Sequence, residues 1–224
     1  MSITQDILIK DKSKKMFLEG DWKNEYETIR PGYTSFNDAG LECEVGELLY
    51  GFVRTLQPDD VLETGTHIGI GASYIGEALK HNAKGHLDTI EFIPEIYSEA
   101  VKTINTLELQ DYVTCHLGDA GSFMPKCQYD MILYDTEPQT RFSEMIRYDN
   151  YLKEGGYCFI HDLHRHMGQM PNEEHGFAWP WGKIPEKIID WVKKDYYRPF
   201  HFSTPRGLAG FYKVSKDDYK WYGK

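Results

Sequence analysis

The stretch Glu63-Thr64-Gly65-Thr66-His67-Ile68-Gly69-Ile70-Gly71 separates a short apolar run from a segment of helical spacing at residues 72–80. Three glycines in a strand-to-helix turn let the backbone approach a ligand closely, and the helix N-terminus offers N–H donors. The stretch therefore predicts a cofactor-binding turn. A tight connection without a ligand is the alternative, because two closely spaced glycines are a weak motif by themselves.

Apolar runs alternate with amphipathic segments on both sides of this turn, which predicts a parallel, doubly wound α/β sheet. The predicted parallel strands are residues 61–64, 86–91, 112–117, 131–135 and 157–162. Two later runs, 198–204 and 208–214, are joined only by Pro205-Arg206-Gly207, and so short a connection predicts an antiparallel pair. We expect a Rossmann-like sheet of seven strands, mostly parallel, with an antiparallel last strand.

The length and composition of the chain favour one globular domain. We expect that domain at residues 37–224, beginning with a helix at 38–55, and an N-terminal helical cap at 1–36. Neither an apolar run long enough to span a bilayer nor a secretory leader is recognisable, so a soluble, cytoplasmic protein is expected. Four cysteines without a CxxC pair are expected to be reduced core residues: Cys43, Cys115, Cys127 and Cys158. A formal net charge of −10 argues against a nucleic-acid partner and favours a small-molecule substrate.

The details of the turn distinguish between classes of nucleotide cofactor. A dinucleotide fingerprint requires GxGxxG, and this chain lacks the third glycine after Gly71. Glu63, just before Gly65, would repel a pyrophosphate but could accept hydrogen bonds from an ammonium group. The sequence therefore disfavours a nicotinamide-dependent oxidoreductase, which is the first alternative, and favours a methionine-type donor.

The run Val61-Leu62-Glu63-Thr64-Gly65-x-x-x-Gly69 resembles motif I of class I S-adenosylmethionine (SAM)-dependent methyltransferases, and the resemblance extends over roughly residues 40–214. It implies that Glu91 binds the ribose hydroxyls and that Asp119, followed by Ala120, meets the adenine. A solvated strand-end carboxylate and a helix N-cap, respectively, are the alternatives for these two acids. The resemblance implies a donor site at Glu63, Gly65, Thr66, His67, Gly69, Gly71, Ser73, Glu91, Asp119, Ala120 and Asp135. His67 could instead cap the first turn of the helix.

Two carboxylates and two imidazoles follow the fourth and fifth predicted strands: Asp135, His161, Asp162 and His164. The chain is similar here to the catechol O-methyltransferase-like and antibiotic-tailoring sugar O-methyltransferase branches. That resemblance implies that Asp135 and Asp162 hold Mg²⁺ or another divalent cation, which would lower the pKa of a substrate hydroxyl. The chain departs from the catechol-type pattern at Leu163, where an asparagine is expected, and at Pro138, where a lysine base is expected.

A histidine suits the task of the missing base, because its pKa lies near neutral pH. His164 is the first candidate and His161 the second, with Asp135 as the third catalytic candidate. His161 could equally be a core residue bonded to backbone. Residues 167–181, rich in Trp, Met, Pro and Gly, are expected to form a substrate lid or to pack on the sheet edge, and Tyr33 could cover the other side.

These observations predict a SAM-dependent O-methyltransferase acting on a hydroxylated small molecule, assisted by a divalent metal if one binds, and forming a homodimer by analogy with the family. A SAM-binding protein without catalysis is the second alternative. An N-methyltransferase of nucleic acids is the third, but it would carry an Asn-Pro-Pro-Tyr-type run where this chain has Asp135-Thr136-Glu137-Pro138.

Overall fold

A seven-stranded mixed sheet organises the part of the chain that the computed structural model describes, residues 40–163, 184–204 and 206–218. Its strands are β1 (Asp60–Thr64), β2 (His86–Glu91), β3 (Val113–Leu117), β4 (Tyr129–Tyr134), β5 (Leu152–His161), β6 (Tyr197–Phe202) and β7 (Leu208–Lys213). The helices are α1 (Cys43–Leu56), α2 (Ile70–Asn82), α3 (Pro94–Thr106), α4 (Arg141–Tyr148) and α5 (Glu186–Lys193).

The strand order is β3-β2-β1-β4-β5-β7-β6. Strands β1 to β5 are parallel, and β7 is antiparallel to both of its neighbours, β5 and β6. The predicted fold class is therefore confirmed, including the antiparallel last strand. The order of the strands reverses between β1 and β4, and ligands of open α/β sheets bind at the carboxyl ends of the strands at such a point.

Helices cover both faces of the sheet because alternate strand residues point to opposite sides. Val61 and Leu133 belong to the apolar cluster beneath α1, α2 and α3, whereas Leu62 and Ile132 belong to the cluster that includes residues of α4 and α5. Burial on both faces explains why the central strands are continuous apolar runs in the sequence.

Several boundaries differ from the sequence-based ones. Helix α1 begins at Cys43, five residues later than expected, and β5 begins at Leu152, five residues earlier. The start of β5 is not recognisable in the sequence because Gly155 and Gly156 interrupt the apolar strand pattern. Gly155 adopts a left-handed φ of 82° there. The N-terminal cap proposed at residues 1–36 lies outside the described residues.

The expectation for the cysteines holds only in part. All four thiols are free; Cys43 and Cys158 are buried, but Cys115 is half-buried and Cys127 is exposed, so Cys127 is not a core residue. Every helix in the described ranges is too short or too polar to span a lipid bilayer.

Candidate functional site

The glycine-rich turn after β1 is shaped by close contacts within the protein. Gly65 and Gly69 adopt left-handed φ values of 85° and 91°. A Cβ atom on Gly65 would lie 2.3 Å from the carbonyl oxygen of Asp135, and so the missing side chain lets β1 and β4 end side by side. The backbone N–H groups of Gly65 and Thr66 both donate to the carbonyl oxygen of Ile90, at 2.9 and 3.0 Å, which fixes the turn against β2.

Glu63 lies beneath the turn, where it is 1% exposed. The Thr89 hydroxyl donates to Glu63 Oε2 over 2.6 Å, and the Thr66 and Thr89 hydroxyls are 2.6 Å apart, so Thr66 donates to Thr89. Burial raises the pKa of Glu63 to about 8 despite the Thr89 hydrogen bond, and the charges of Asp135 and Glu91 raise it further. The buried carboxyl of Glu63 thus supports the turn from within the protein, and its contact with a donor ammonium stays a prediction.

Gly71 and Ser73 belong to the same supporting layer. A Cβ atom on Gly71 would lie 2.2 Å from Glu63 Oε1, so this glycine makes room for a protein side chain. Ser73 is 1% exposed, and its hydroxyl donates to the carbonyl oxygen of Gly69 over 2.6 Å. Both residues were predicted as donor contacts, but the structure places them inside the first turn of α2.

The carboxylate of Glu91, at the end of β2, is held by two backbone N–H groups. His67 donates to Oε2 over 2.8 Å and Ile93 donates to Oε1 over 2.9 Å. Each oxygen keeps a free lone pair because a carboxylate has about four acceptor sites. Two exposed apolar side chains are its neighbours. Phe92 follows Glu91 in the chain, and Leu117 is the residue of β3 that pairs with Glu91. A carboxylate and an apolar shelf thus meet at the edge of the sheet.

The residues expected to meet the adenine follow β3. Asp119 is exposed, and its Oδ1 accepts a hydrogen bond from the Gly121 N–H over 2.9 Å. The next helix, α4, begins only at Arg141, so Asp119 caps a turn rather than a helix N-terminus. Ala120 is 6% exposed, and its carbonyl oxygen accepts a hydrogen bond from the Tyr148 hydroxyl over 2.5 Å.

His67 combines an unusual backbone with an unpaired ring nitrogen. Its φ is 49°, and its Nδ1 is buried without a hydrogen-bond partner among the described residues. Burial lowers the pKa of His67, although the charges of Glu91 and Asp135 act in the opposite direction. The neutral form of the imidazole is therefore favoured.

At the adjacent ends of β4 and β5, which we call the reacting end because methyl transfer is expected there, the structure brings together three of the predicted residues. One ligand atom each of Asp135, His161 and Asp162 lies within 4.8 Å of the others. Asp162 adopts a left-handed φ of 55°, which non-glycine residues rarely adopt, directly after β5. The clustering follows from the topology, because β4 and β5 are adjacent parallel strands with a common carboxyl edge.

His161 is fully buried between two carboxylates. Its Nδ1 lies 3.0 Å from Asp135 Oδ1 and its Nε2 lies 2.6 Å from Glu42 Oε2. Burial alone would lower the pKa of His161, but the charges of Asp162, Asp135 and Glu42 raise it to about 10. Both ring nitrogens therefore carry protons. Its contacts with two carboxylates favour a structural role for His161, and its role as a general base stays a prediction.

Two arginines complete the cluster. Arg141 Nη2 lies 3.0 Å from Asp162 Oδ2 and 3.1 Å from Asp135 Oδ1, while its Nη1 donates to the carbonyl oxygen of His161. Arg206 Nη2 donates to Asp162 Oδ2 over 2.7 Å, and Arg206 Nη1 donates to the carbonyl oxygen of Gly40 over 2.6 Å. Although burial would raise the pKa of Asp162, the neighbouring His161, Arg141 and Arg206 charges lower it to about 2.

The donor set fits a divalent cation poorly. Asp135, Asp162 and Glu42 supply three negative charges, and the three positive charges of His161, Arg141 and Arg206 already balance them. Leu163, where the catechol-type pattern has an oxygen ligand, is 8% exposed and packs in the apolar core. The metal ligation expected of Asp135 and Asp162 is therefore disfavoured by the side chains that surround them.

Three predictions fall outside the described residues: the base His164, the loop 167–181 and the covering residue Tyr33. Conversely, sequence reasoning missed Glu42, Arg141 and Arg206 as members of the site. These three are spread over 165 positions of the chain and carry no spacing motif. The only sequence signal was local, since Arg206 occupies the turn between β6 and β7.

Comparison with known proteins gives results that agree with the geometry. Residues 62–163 match the family of the methyltransferase domain. A curated relative, the protein-L-isoaspartate O-methyltransferase of Staphylothermus marinus, is 36% identical over 77 residues, which are 33% of this chain and 34% of that protein. The chain thus spans only about a third of the length of this relative.

Solved structures resemble the fold over nearly the whole chain. An O-methyltransferase from Bacillus cereus in complex with S-adenosylhomocysteine (SAH) is 14% identical with a TM-score of 0.68, over 95% of this chain and 98% of that one. The SAM-bound O-methyltransferase TomG from Streptomyces achromogenes, involved in tomaymycin synthesis, is 15% identical with a TM-score of 0.65, over 95% and 96%. At this identity the likeness shows the fold, and with the domain match it confirms the resemblance to methyltransferases.

Proposed function

We propose that this chain, whose residues 62–163 match the methyltransferase domain family, transfers the methyl group of SAM to a hydroxyl oxygen of a small molecule. The observation that carries the proposal is the carboxylate of Glu91 at the end of β2, the neighbour of β1 on one side of the switch point of the sheet. It is held by backbone N–H groups, with no cation to neutralise it among the described residues, beside an exposed apolar shelf.

The donor is proposed to lie along the carboxyl edge of β1, β2 and β3. The free lone pairs of Glu91 would accept hydrogen bonds from both ribose hydroxyls. The adenine would pack against Phe92 and Leu117, with Asp119 at its polar edge. The methionine part of the donor would then cross the Gly65 bend toward Asp135. The solved neighbours from Bacillus cereus and Streptomyces achromogenes hold SAH and SAM, respectively, which supports this class of donor.

The acceptor is proposed to meet the donor at Asp135. Oδ1 of Asp135 is engaged by His161 and Arg141, but Oδ2 has no partner among the described residues, and the side chain is 16% exposed. Oδ2 would accept a hydrogen bond from the substrate hydroxyl and orient its oxygen toward the methyl carbon, at about 3 Å. His164, two residues after Asp162, remains the proposed base. It would take the hydroxyl proton as the oxygen displaces SAH in line, which leaves a methyl ether.

Catalysis would depend on proximity, orientation and deprotonation. No step is assigned to a divalent metal, because Asp135 and Asp162 are already paired with Arg141, Arg206 and His161. The acceptor is proposed to be a hydroxylated small molecule rather than a nucleic acid, in keeping with the net charge of −10. A homodimer remains a proposal that sedimentation would test.

Transfer of a radiolabelled methyl group from SAM to a panel of sugars, phenols and polyketide alcohols tests the proposal. We expect label in at least one acceptor and calorimetric binding of SAH. Binding of SAH without label transfer across the panel would favour the non-catalytic alternative. Binding of a nicotinamide dinucleotide and not of SAH would favour the oxidoreductase.

A further inference from the structure

The place between Asp135 and Asp162 is filled by a side chain of the protein itself. Arg141 is 4% exposed, and each nitrogen of its guanidinium has a partner. Nη2 is shared between the two aspartates, Nη1 donates to the carbonyl oxygen of His161, and Nε donates to the carbonyl oxygen of Thr136 over 2.7 Å. Arg141 thus binds the ends of both β4 and β5 at once.

Arginine suits this position for a physical reason. A guanidinium is planar, permanently charged and carries five donors in a fixed arrangement, so it can serve two carboxylates and two carbonyl oxygens without losing its orientation. Arg206 also binds Asp162, and its Nη2 donates to Oδ2 over 2.7 Å. A dication placed among the same carboxylates would have to displace these pairs and would leave two buried guanidinium groups uncompensated, which is costly.

We propose that Arg141 takes the place of a divalent metal between Asp135 and Asp162, and that the site needs no metal. Its guanidinium is a built-in cation that positions Asp135 for the acceptor. Arg141 is a positioning residue, since it acts through Asp135 and Asp162. The part of this inference that concerns the acceptor rests on the proposed function. The part that concerns the cation does not, because it can be measured without donor or substrate.

The first experiment titrates Mn²⁺ into the purified wild-type chain and follows the free ion by electron paramagnetic resonance. Asp162→Asn serves as the control, because it removes a carboxylate that any metal would need. We expect no saturable binding up to millimolar Mn²⁺ in either protein. Stoichiometric binding by the wild type that is lost in Asp162→Asn would overturn the proposal.

The second experiment removes the cation itself. Arg141→Gln should lower the melting temperature by roughly 10 °C, because it leaves buried carboxylates without their partner, and Arg141→Lys should recover part of that loss. Mn²⁺ should bind and stabilise Arg141→Gln but not the wild type, a response that a purely structural arginine would not give. A folded Arg141→Gln variant that binds no Mn²⁺ would contradict the inference.

Should Arg141→Gln fail to fold, the wild-type titration still decides, and Arg141→Lys provides the folded comparison. Neither measurement requires methyl transfer, so a protein that transfers no methyl group but excludes Mn²⁺ would refute the proposed function and leave this inference intact. In an active preparation, EDTA should leave the rate of label transfer unchanged.

Discussion

The donor end of the site, around Glu91, and the reacting end, around Asp135 and Asp162, hold their carboxylates in opposite ways. Glu91 is bound by two neutral backbone N–H groups, whereas Asp162 is bound by two guanidinium groups and lies 3.5 Å from an imidazolium. Dipoles orient a carboxylate without cancelling its charge, so Glu91 remains available to a ligand. Cations cancel the charge, so Asp162 serves as structure. Within one sheet edge, the type of hydrogen-bond donor thus distinguishes Glu91, the acid proposed to bind the donor, from Asp162, which is held by cations.

The largest effect should come from unbalancing the cation-rich cluster. Glu42→Gln keeps the shape of the side chain but removes one of three negative charges around His161 and Arg206. Loss of one partner from a buried ion pair costs about 3–5 kcal/mol. We expect urea unfolding to show a decrease of that size in the free energy of unfolding. Glu95→Gln, at an exposed site in the first turn of α3, is the control and should be nearly neutral. Equal effects of the two substitutions would show that the cluster contributes little.

The glycine-rich turn, through Glu63, and the reacting end, through His161, should also reduce the stability of the fold over different pH ranges. Both Glu63 and His161 have raised pKa values in the folded state, about 8 against 4.5 and about 10 against 6.5. A group whose pKa rises on folding stabilises the fold fully below its unfolded value and loses that contribution as the pH rises through its folded value. The Glu63 contribution should therefore vanish between about pH 4.5 and 8, and that of His161 between about pH 6.5 and 10.

Glu63→Gln distinguishes these two ranges, because it leaves a neutral group of the same shape under the turn. Compared with the wild type, the variant should gain stability on the order of a few kcal/mol at alkaline pH. Melting temperatures of the variant should no longer fall because of Glu63 between about pH 4.5 and 8. The decline that His161 causes between about pH 6.5 and 10 should remain. A variant curve parallel to that of the wild type would mean that Glu63 does not titrate on folding.

Sequence reasoning predicted the fold and the position of the glycine-rich turn better than the ion pairs around Asp162, and the reason is physical. The strand pattern and the Gly65 turn are local, so the periodicity of the chain carries them. Glu42 meets His161, and Arg206 meets Asp162, only through tertiary folding, and no spacing in the sequence predicts either pair. The same distinction explains the role of Glu63, because its burial under α2 depends on packing that a motif does not encode. Leu163 and Pro138 were the local signs that this chain departs from the catechol-type pattern.

The next effect concerns ligand affinity at the donor end. Glu91→Gln removes a charge-assisted acceptor while the side chain keeps its size. Hydrogen bonds to charged groups contribute about 1.5–3 kcal/mol, so SAH should bind roughly 10- to 100-fold more weakly. Isothermal titration calorimetry measures the change, again with Glu95→Gln as the control. Unchanged affinity of Glu91→Gln for SAH would remove the observation on which the proposed donor site rests.

The smallest effects should come from two threonines that differ in their partners. Thr89 is buried and links Thr66 to Glu63 by hydrogen bonds of 2.6 Å each, so Thr89→Val should lower the free energy of unfolding by about 1–2 kcal/mol. Thr103 is equally buried, but its hydroxyl has no partner among the described residues, and Thr103→Val should be neutral or slightly stabilising. Urea unfolding of both variants should therefore give changes of different sign or size. If Thr103→Val were as destabilising as Thr89→Val, the cost would arise from the packing of valine, and the hydrogen-bonded chain under the turn would contribute nothing measurable.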